Sequence, residues 1–239
     1  LNEALSTLTS DLGTGTSGSD WPMFRHDTLR SGVSPTTLPA KLEQAWDADL
    51  GGRLTGPVIS GDTLVVAQID EHTVHALDVS TGERRWSYIA GGRVDSPPTL
   101  AGGNVFFGCA DGWVYCLRQS DGEIVWRFRA APRDLRLMAF EQLESVWPVH
   151  GSVLVQENEV SFVAGRSNFL DGGLRMIKLA AGTGEVLSEK IIDDKDPRTG
   201  EPLQNHIKTL QMPVGLPDIL SSDGSYVYMR SQKFDLDGN

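Results

Sequence analysis

Cysteine and positively charged residues are both scarce in this sequence, and each shortage argues against particular classes of site or partner. Only two of its 239 residues are cysteines, Cys109 and Cys116, and they lack the C-x-x-C spacing of zinc or redox sites. Lysine and arginine total 21, against 32 aspartates and glutamates, which gives a formal net charge of −11. A surface of this sign disfavours nucleic acids and anionic membranes as partners.

Long apolar runs and familiar catalytic motifs are missing as well. No stretch of the sequence reaches the length needed to span a membrane. The sequence contains no glycine-rich phosphate loop, no nucleophile elbow and no metalloprotease motif. Residues 52–130 also lack the periodicity of an amphipathic helix. We therefore expect no membrane span, no nucleic-acid partner and a chain built from strands.

The most informative feature that is present is an internal repeat. Trp46, Trp86 and Trp126 are spaced forty residues apart, and residues 52–90 align with residues 92–130 without a gap. The two copies share Arg53/Arg93, Pro57/Pro97, Val65/Val105, Val74/Val114, Leu77/Leu117, Gly82/Gly122, Glu83/Glu123 and Trp86/Trp126. A repeat of about 40 residues made of short strands is typical of a β-propeller blade.

Each copy of the repeat predicts four strands. In the first copy they fall at 57–60, 63–68, 73–78 and 84–89, separated by turns rich in Gly, Asp and Ser. In a four-stranded meander, the loop between strands two and three and the link to the next blade lie at the same end. We therefore expect these loops and links to share one face of the propeller, which is where propeller ligands usually bind.

The turn before the second tryptophan resembles a motif of a known family. Residues 76–86 read ALDVSTGERRW, which is similar to the tryptophan-docking motif of pyrroloquinoline quinone (PQQ)-type propeller repeats, roughly A-x-D-x-x-T-G-x-x-x-W. In that family, the Trp of one blade packs against the Ala and Gly positions of a neighbour's motif. The resemblance implies structural docking roles for Trp46, Trp86 and Trp126. Residues 21–32 also look like the segment that precedes the first blade in this family.

Later copies of the motif depart from this pattern. In the second copy, Cys116 replaces the Ala and Arg118 replaces the Asp. The third copy keeps Thr183 and Gly184 but has Ser188 at the Trp position. We therefore expect the docking contact made by the third copy to be weak or replaced.

The sequence predicts an all-β, PQQ-like β-propeller whose ring is incomplete. Residues 1–19 are rich in Ser, Thr and Gly and are expected to form a flexible lead or linker. Residues 20–239 are expected to supply about three and a half four-stranded blades. The predicted parts are an outer strand at 42–50 and blades at about 52–90, 92–130, 145–191 and 213–239, the last of them unfinished. A ring of seven or eight blades needs about 280 to 320 residues, so we expect the same polypeptide to supply the remainder.

Two segments outside the regular repeat carry their own expectations. Residues 132–145 form an insertion before the third blade, with a short helix expected at 135–143. The fourth blade is expected to end in its second strand, at 226–231.

The two cysteines flank a turn. A two-residue hairpin at Asp111-Gly112 would place Cys109 opposite Val114 and Cys116 opposite Phe107, so that both thiols lie on one face of the sheet. Their positions would be diagonal rather than directly opposite, which favours buried thiols over a disulfide.

Charged and aromatic residues gather on the face that carries the loops and links. The candidate ligand-binding residues are Arg93, Asp95, Trp147, His150, Arg166 and Asp171, with Glu144 and Asn168 beside them in sequence. Converging Arg, Asp, His and Trp could form a polar pocket for a small anionic or sugar-like ligand. The alternative is structure between blades, in which each Arg pairs with an acidic residue and the Trp packs.

The end of the sequence holds a partial match to a calcium loop. Asp235, Asp237 and Asn239 occupy positions 1, 3 and 5 of such a loop. The alternative is a polar loop between strands two and three of the fourth blade.

The leading functional hypothesis is a non-catalytic scaffold or binding module that contacts proteins or ligands and needs no cofactor. The resemblance implies a periplasmic or otherwise extracytoplasmic location. One alternative is part of a PQQ-dependent dehydrogenase, in which PQQ and calcium would be held near a vicinal Cys-Cys disulfide, and no such Cys pair occurs in this sequence. Another alternative is a carbohydrate- or anion-binding accessory domain of a larger enzyme.

Overall fold

The computed structural model describes residues 20–196, 198–206, 216–230 and 232–235. These residues form seventeen strands in five antiparallel sheets, together with one short 3-10 helix at Leu203–His206. The prediction of an all-β chain is therefore confirmed. The expected flexible lead at 1–19 lies outside the described residues.

The first two blades are four-stranded sheets in which the strands follow one another in chain order. Blade 1 consists of β1 (Val58–Ser60), β2 (Thr63–Gln68), β3 (Thr73–Asp78) and β4 (Arg84–Ile89). Blade 2 consists of β5 (Thr99–Ala101), β6 (Asn104–Gly108), β7 (Trp113–Arg118) and β8 (Ile124–Arg129). The strands are rich in β-branched and aromatic residues, and glycines with positive φ make the tight turns between them.

The insertion before the third blade is a β-hairpin, so the prediction of a short helix at 135–143 is wrong. Its strands are β9 (Arg136–Ala139) and β10 (Gln142–Ser145), which form a separate two-stranded sheet. Phe140 and Glu141 have φ values of 49° and 63°, as the two central residues of a type I′ turn require. The turn fixes the register, and alternate side chains then face opposite sides.

The third blade is complete and the fourth has three strands. Blade 3 consists of β11 (Leu154–Gln156), β12 (Glu159–Ala164), β13 (Leu174–Ala180) and β14 (Val186–Ile192). Blade 4 consists of β15 (Ser221–Ser222), β16 (Tyr226–Met229) and β17 (Gln232–Asp235). The prediction that blade 4 ends in its second strand is wrong, because the chain reverses at Arg230, with φ of 55°, and Met229 pairs with Gln232. The described sheets form successive blades and close no ring, which agrees with the predicted fold class.

The segment before blade 1 is not a strand, although an outer strand was expected at 42–50. Residues 42–50 pair with no strand of the described chain. Trp46 is nevertheless fixed, because its indole Nε1 donates a hydrogen bond to the carbonyl of Val79 at 2.8 Å.

Apolar side chains fill the space between successive blades. One cluster joins blades 1 and 2 and contains Val65, Val105 and Cys109, and a second joins blades 2 and 3 and contains Phe106 and Cys116. Strands β6 and β7 contribute alternate side chains to the two clusters, as the pleat of a strand buried on both faces requires.

The two cysteines therefore lie on opposite faces of blade 2, and the prediction that they share a face is wrong. The expected two-residue turn is longer, because the last ladder pair is Gly108 with Val114, and this places Cys116 opposite Phe106. Both thiols are free and buried. Burial raises the pKa of Cys116 to about 12 and raises that of Cys109 well above its ordinary value.

Residues 20–32 run across the inner strands of the blades. Trp21 exchanges two backbone hydrogen bonds with Ile59 of β1, at 2.9 and 2.8 Å. The amide of Leu100 in β5 then donates to the carbonyl of Pro22 at 2.7 Å. We call residues 20–32 the inner segment.

The far end of the inner segment reaches blades 3 and 4. The amide of Ser222 in β15 donates to the carbonyl of Thr28 at 2.7 Å. Arg30 is buried and donates from Nε to the carbonyl of Leu220 at 3.0 Å and from Nη2 to that of Val153 at 3.5 Å. Burial lowers the pKa of Arg30 to about 10. One short stretch of chain thus contacts the inner side of all four blades.

Candidate functional site

The face that carries the loops and links is held together by backbone hydrogen bonds. The amide of Ala110, in the loop of blade 2, donates to the carbonyl of Arg93, in the link that enters blade 2, at 2.8 Å. The amide of Ser145 donates in turn to the carbonyl of Ala110 at 2.8 Å. The link into blade 2, the loop of blade 2 and the insertion before blade 3 therefore meet on one face, as the topology predicts.

The hairpin Arg136–Ser145 folds back across this face, and we call it the strap hairpin. Gln142 fixes its tip to blade 1: Nε2 donates to the carbonyl of Asp70 at 3.1 Å, and Oε1 lies 2.6 Å from Nε2 of His72. The ring of Phe140 lies over the guanidinium of Arg93, with 4.2 Å between the ring centroid and Cζ. The strap hairpin therefore covers the link into blade 2.

A buried ion network lies beneath the strap hairpin. Glu144 is 1% exposed, and its Oε1 accepts a hydrogen bond from Nε of Arg93 at 2.9 Å. The other carboxylate oxygen, Oε2, lies 3.3 Å from Nη2 of Arg166. Both oxygens of Glu144 thus contact a guanidinium, an arrangement that offsets the cost of burying the carboxylate.

Asp95 and His150 extend the network. Asp95 Oδ1 lies 3.3 Å from Nη2 of Arg93, and Asp95 Oδ2 lies 2.5 Å from Nδ1 of His150. The nearby hydroxyl of Ser96 donates to the backbone carbonyl of His150 at 2.5 Å and not to its ring. The His–Asp pair therefore lacks a nucleophilic hydroxyl among its described contacts, and the two arginines balance the two carboxylates of the network.

Four of the six candidate residues lie in this network, and the other two form a separate pair. Trp147 is buried and donates from Nε1 to the backbone carbonyl of Asp171 at 3.0 Å. This pair borders an open pocket of about 470 Å³ between the base of the strap hairpin and blade 3. Arg133 and Arg175 also line the pocket. Sequence reasoning missed both, because neither lies in a motif and only the folded strap hairpin brings them together.

The first residue of the partial calcium-loop match lies in a strand and not in a loop. Asp235 is the last residue of β17 and pairs with Tyr226, while Asp237 and Asn239 lie outside the described residues. Among the residues that the structure describes, no group of three or more His, Cys, Asp or Glu side chains is placed to hold a metal ion.

Each repeat tryptophan contacts the turn of the following blade. Nε1 of Trp86 donates to the carbonyl of Gln119 at 2.8 Å, and an added Cβ at Gly122 would lie 2.7 Å from Cδ2 of the same indole. Trp126 makes the equivalent hydrogen bond to the carbonyl of Ala181 at 2.8 Å and lies over Gly184. Glycine is required at these turns both by the positive φ and by the close approach of the indole.

The repeat length, the four-stranded blades and the tryptophan contacts define the class of protein: a β-propeller built from PQQ-like repeats. Within that class, the chain belongs to the family described as Outer membrane protein assembly factor BamB, whose model matches residues 39–233.

Individual relatives agree with this assignment. The chain is 28% identical over 136 residues to an "Outer membrane protein assembly factor BamB" from Marinobacter adhaerens (strain DSM 23420 / HP15), covering 56% of this chain and 34% of the relative. It is 31% identical over 124 residues to a protein of the same name from Burkholderia pseudomallei (strain K96243), covering 49% and 32%. The chain thus spans about a third of the length of these relatives.

Solved structures support the fold. A europium-containing methanol dehydrogenase superposes with a TM-score of 0.61 at 18% sequence identity, covering 84% of this chain and 35% of the other. At this identity the likeness bears on the fold alone. Within the part of the chain that the structure describes, no helix is long and apolar enough to cross a membrane.

Proposed function

We propose that this chain is part of a non-catalytic, extracytoplasmic β-propeller that acts as a scaffold for protein partners. The family name, outer membrane protein assembly factor, supports a location in the cell envelope and a role in protein contacts. The observation that carries the proposal is the outward side of the strap hairpin, which displays apolar side chains on an anchored support.

The outward side presents an exposed apolar pair, with a third apolar side chain at the tip. Met138 and Leu143 are directly paired across the hairpin and are 68% and 51% exposed. Phe140, at the tip, is 73% exposed while one side of its ring lies over Arg93. Exposed apolar side chains that cluster in this way mark contact surfaces in soluble proteins.

The support beneath the patch is rigid. Gln142 ties the tip to blade 1, and Glu144 ties the base to two guanidiniums. A preformed surface loses little conformational entropy when a partner binds, which favours affinity. The partner that fits is an envelope protein that offers an apolar segment to the hairpin.

The test is site-specific photo-crosslinking of the full-length protein in its native host. A photoreactive residue at position 138 is compared with one at position 186, because Val186 is 50% exposed and begins β14, at the end of blade 3 that is opposite to the loops and links. We expect one dominant crosslinked protein at position 138 and not at position 186. The purified partner should then bind the variant M138S/L143S at least about tenfold more weakly than wild type, with V186S unchanged. Equal binding by all three proteins would refute the proposal.

The quinoprotein alternative has a separate test. In the resembling dehydrogenases the quinone stacks on a vicinal disulfide, whereas Cys109 and Cys116 lie on opposite faces of blade 2, so the residues of this chain do not fit that arrangement. Titration of the full-length protein with PQQ and calcium, followed by visible absorbance and Trp fluorescence, is expected to give no saturable signal. Saturable binding with a quinone spectrum would overturn the non-catalytic proposal.

A further inference from the structure

The pocket at the base of the strap hairpin is separate from the ion network. It has a volume of about 470 Å³, within the range of about 300 to 1,000 Å³ that small-molecule sites occupy. The lining residues that matter for recognition are Arg133, Leu135, Trp147, Asp171, Arg175 and Ile191. The lining comes from the residues just before the strap hairpin, from Trp147 just after it, and from blade 3 with its loop, so the pocket exists only in the folded chain.

Two guanidiniums and one carboxylate line the pocket, on a protein whose formal net charge is −11. Arg133 forms no ion pair with any residue that the structure describes, in contrast to the arginines of the ion network. Arg175 pairs with Glu189 through Nη2, but its Nε is buried without a hydrogen-bond acceptor among the described residues. A buried donor without an acceptor is rare in folded proteins, and an acceptor on a bound group would satisfy this one.

Asp171 adds an acceptor in a fixed position. Its backbone carbonyl accepts the indole hydrogen bond of Trp147, and this contact fixes the position of the turn, in which Asp171 has φ of 56°. Its carboxylate makes no hydrogen bond to another described residue.

Apolar groups complete the wall. Leu135 and Ile191 are 47% and 58% exposed and border the pocket together with Trp147. Guanidiniums bind an oxyanion, the carboxylate of Asp171 accepts hydrogen bonds from hydroxyl groups, and the apolar side chains pack against the face of a ring. We propose that this pocket binds a sugar ring that carries a carboxylate, such as a uronate.

This inference is independent of the proposed protein scaffold, because the pocket and the outward side of the strap hairpin use different side chains. The probe is D-glucuronate. Two control ligands are used: D-glucose has the ring but no charge, and sulfate has the charge but no ring. Binding to the full chain is measured by calorimetry and by saturation-transfer NMR, at low and high salt. We expect saturable binding of D-glucuronate that weakens with salt, and at least tenfold weaker binding of D-glucose and of sulfate.

Two variants locate the site. R133Q removes the guanidinium that has no described ion pair and is expected to weaken D-glucuronate binding about tenfold or more. R129Q is the matched control, because Arg129 is also an exposed arginine, at the end of β8, and does not line the pocket. Circular dichroism and thermal unfolding check that both variants fold.

Each remaining outcome would overturn the inference in a defined way. Equal binding of D-glucose and D-glucuronate would remove the role of the guanidiniums. Sulfate binding as strong as that of D-glucuronate would show a plain anion site. If D-glucuronate does not bind, or if R133Q and R129Q weaken its binding equally, the pocket is not a uronate site. Neither result would change the crosslinking expected at position 138, so the two proposals can fail separately.

Discussion

Blade 2 and blade 3 have the same four-stranded topology, yet their contacts with the next blade differ. In blade 2, Trp126 lies opposite Cys116, and its indole packs over Gly184 of blade 3. In blade 3 the same two positions hold Ser188 and Lys178, which lie opposite each other in β14 and β13. Two small cavities, of about 20 and 10 Å³, border Lys178 and Val227 between blades 3 and 4.

The apolar cluster between blades 3 and 4 is also smaller than the one between blades 2 and 3. The cluster between blades 2 and 3 contains 14 buried hydrophobic residues, whereas that between blades 3 and 4 contains seven among the described residues. Lys178 instead forms an ion pair with Glu159, with 2.9 Å between Nζ and Oε2. Equal backbone pairing therefore does not imply equal packing, because two side-chain positions decide how a blade contacts its neighbour.

The largest expected effect comes from W126A. The indole is 9% exposed and makes a hydrogen bond to Ala181, so its removal leaves a cavity and an unpaired carbonyl. We expect a loss of about 3 to 5 kcal/mol in the free energy of unfolding, measured by urea denaturation. The matched change in blade 3, S188A, should alter stability by no more than about 0.5 kcal/mol. Similar losses in both variants would remove the contrast between the two blades.

The second effect isolates the indole contact from backbone strain. Gly122 and Gly103 have nearly equal φ values, 75° and 74°, but only a Cβ at Gly122 would collide with Trp86. G122A and G103A should share a penalty of about 1 kcal/mol for the positive φ. G122A should cost about 1 to 3 kcal/mol more, because the indole must move. Thermal unfolding of the pair measures the difference, and equal midpoints would show that the contact contributes nothing.

The third effect tests what the ion pair contributes to blade 3. K178M removes the partner of Glu159, whose side chain is 40% exposed and remains hydrated. We expect a loss of at most about 1 kcal/mol in urea denaturation. The comparison in blade 2 is R118M, which removes a more exposed pair with Asp121 and should cost less. A loss in K178M as large as that in W126A would mean that blade 3 replaces its indole with an equally strong contact.

The smallest effect concerns blade 1 and pH. His75 lies where blade 2 has Tyr115, and burial, with a smaller contribution from the charge of Arg84, lowers the pKa of His75 below its ordinary value of 6.5. Protonation then favours the unfolded state, so the contribution is complete above about pH 6.5 and is lost as the pH falls toward the lowered pKa. Wild type should lose more stability than H75Q between pH 7.5 and pH 5. An equal loss would assign the pH dependence to other groups.

The sequence predicts those parts of the fold that local patterns determine. The segment TLVVAQ is rich in β-branched residues, the segment TVHALD alternates, and both are strands with the expected bounds. The strap hairpin escaped prediction because its apolar positions suit a helix or a hairpin, and the positive φ at Phe140 cannot be read from the sequence. The cysteine register failed for a related reason, since one extra turn residue moves every side chain to the other face.

The sequence predicts only those parts of the candidate site whose positions follow from the order of strands and links. Placing Arg93, Asp95 and His150 on one face follows from the order of strands and links. The pairing of Glu144 with Arg166 depends on how the strap hairpin folds back, which no local signal specifies. Arg133 and Arg175 belong to a turn and a strand with no motif, so the pocket could not be anticipated.

The inner segment also bears on the order in which the chain can fold. The hydrogen bond from Arg30 to Leu220 joins residues 190 positions apart. The hydrogen bond from the amide of Ser222 to the carbonyl of Thr28 spans a similar distance along the sequence. During synthesis, residues made first remain without their last partners until blade 4 has left the ribosome. Contacts of such long sequence separation slow folding and prolong the exposure of unpaired strands to aggregation. The far end of the inner segment is therefore among the first described residues to be made and among the last to gain its partners.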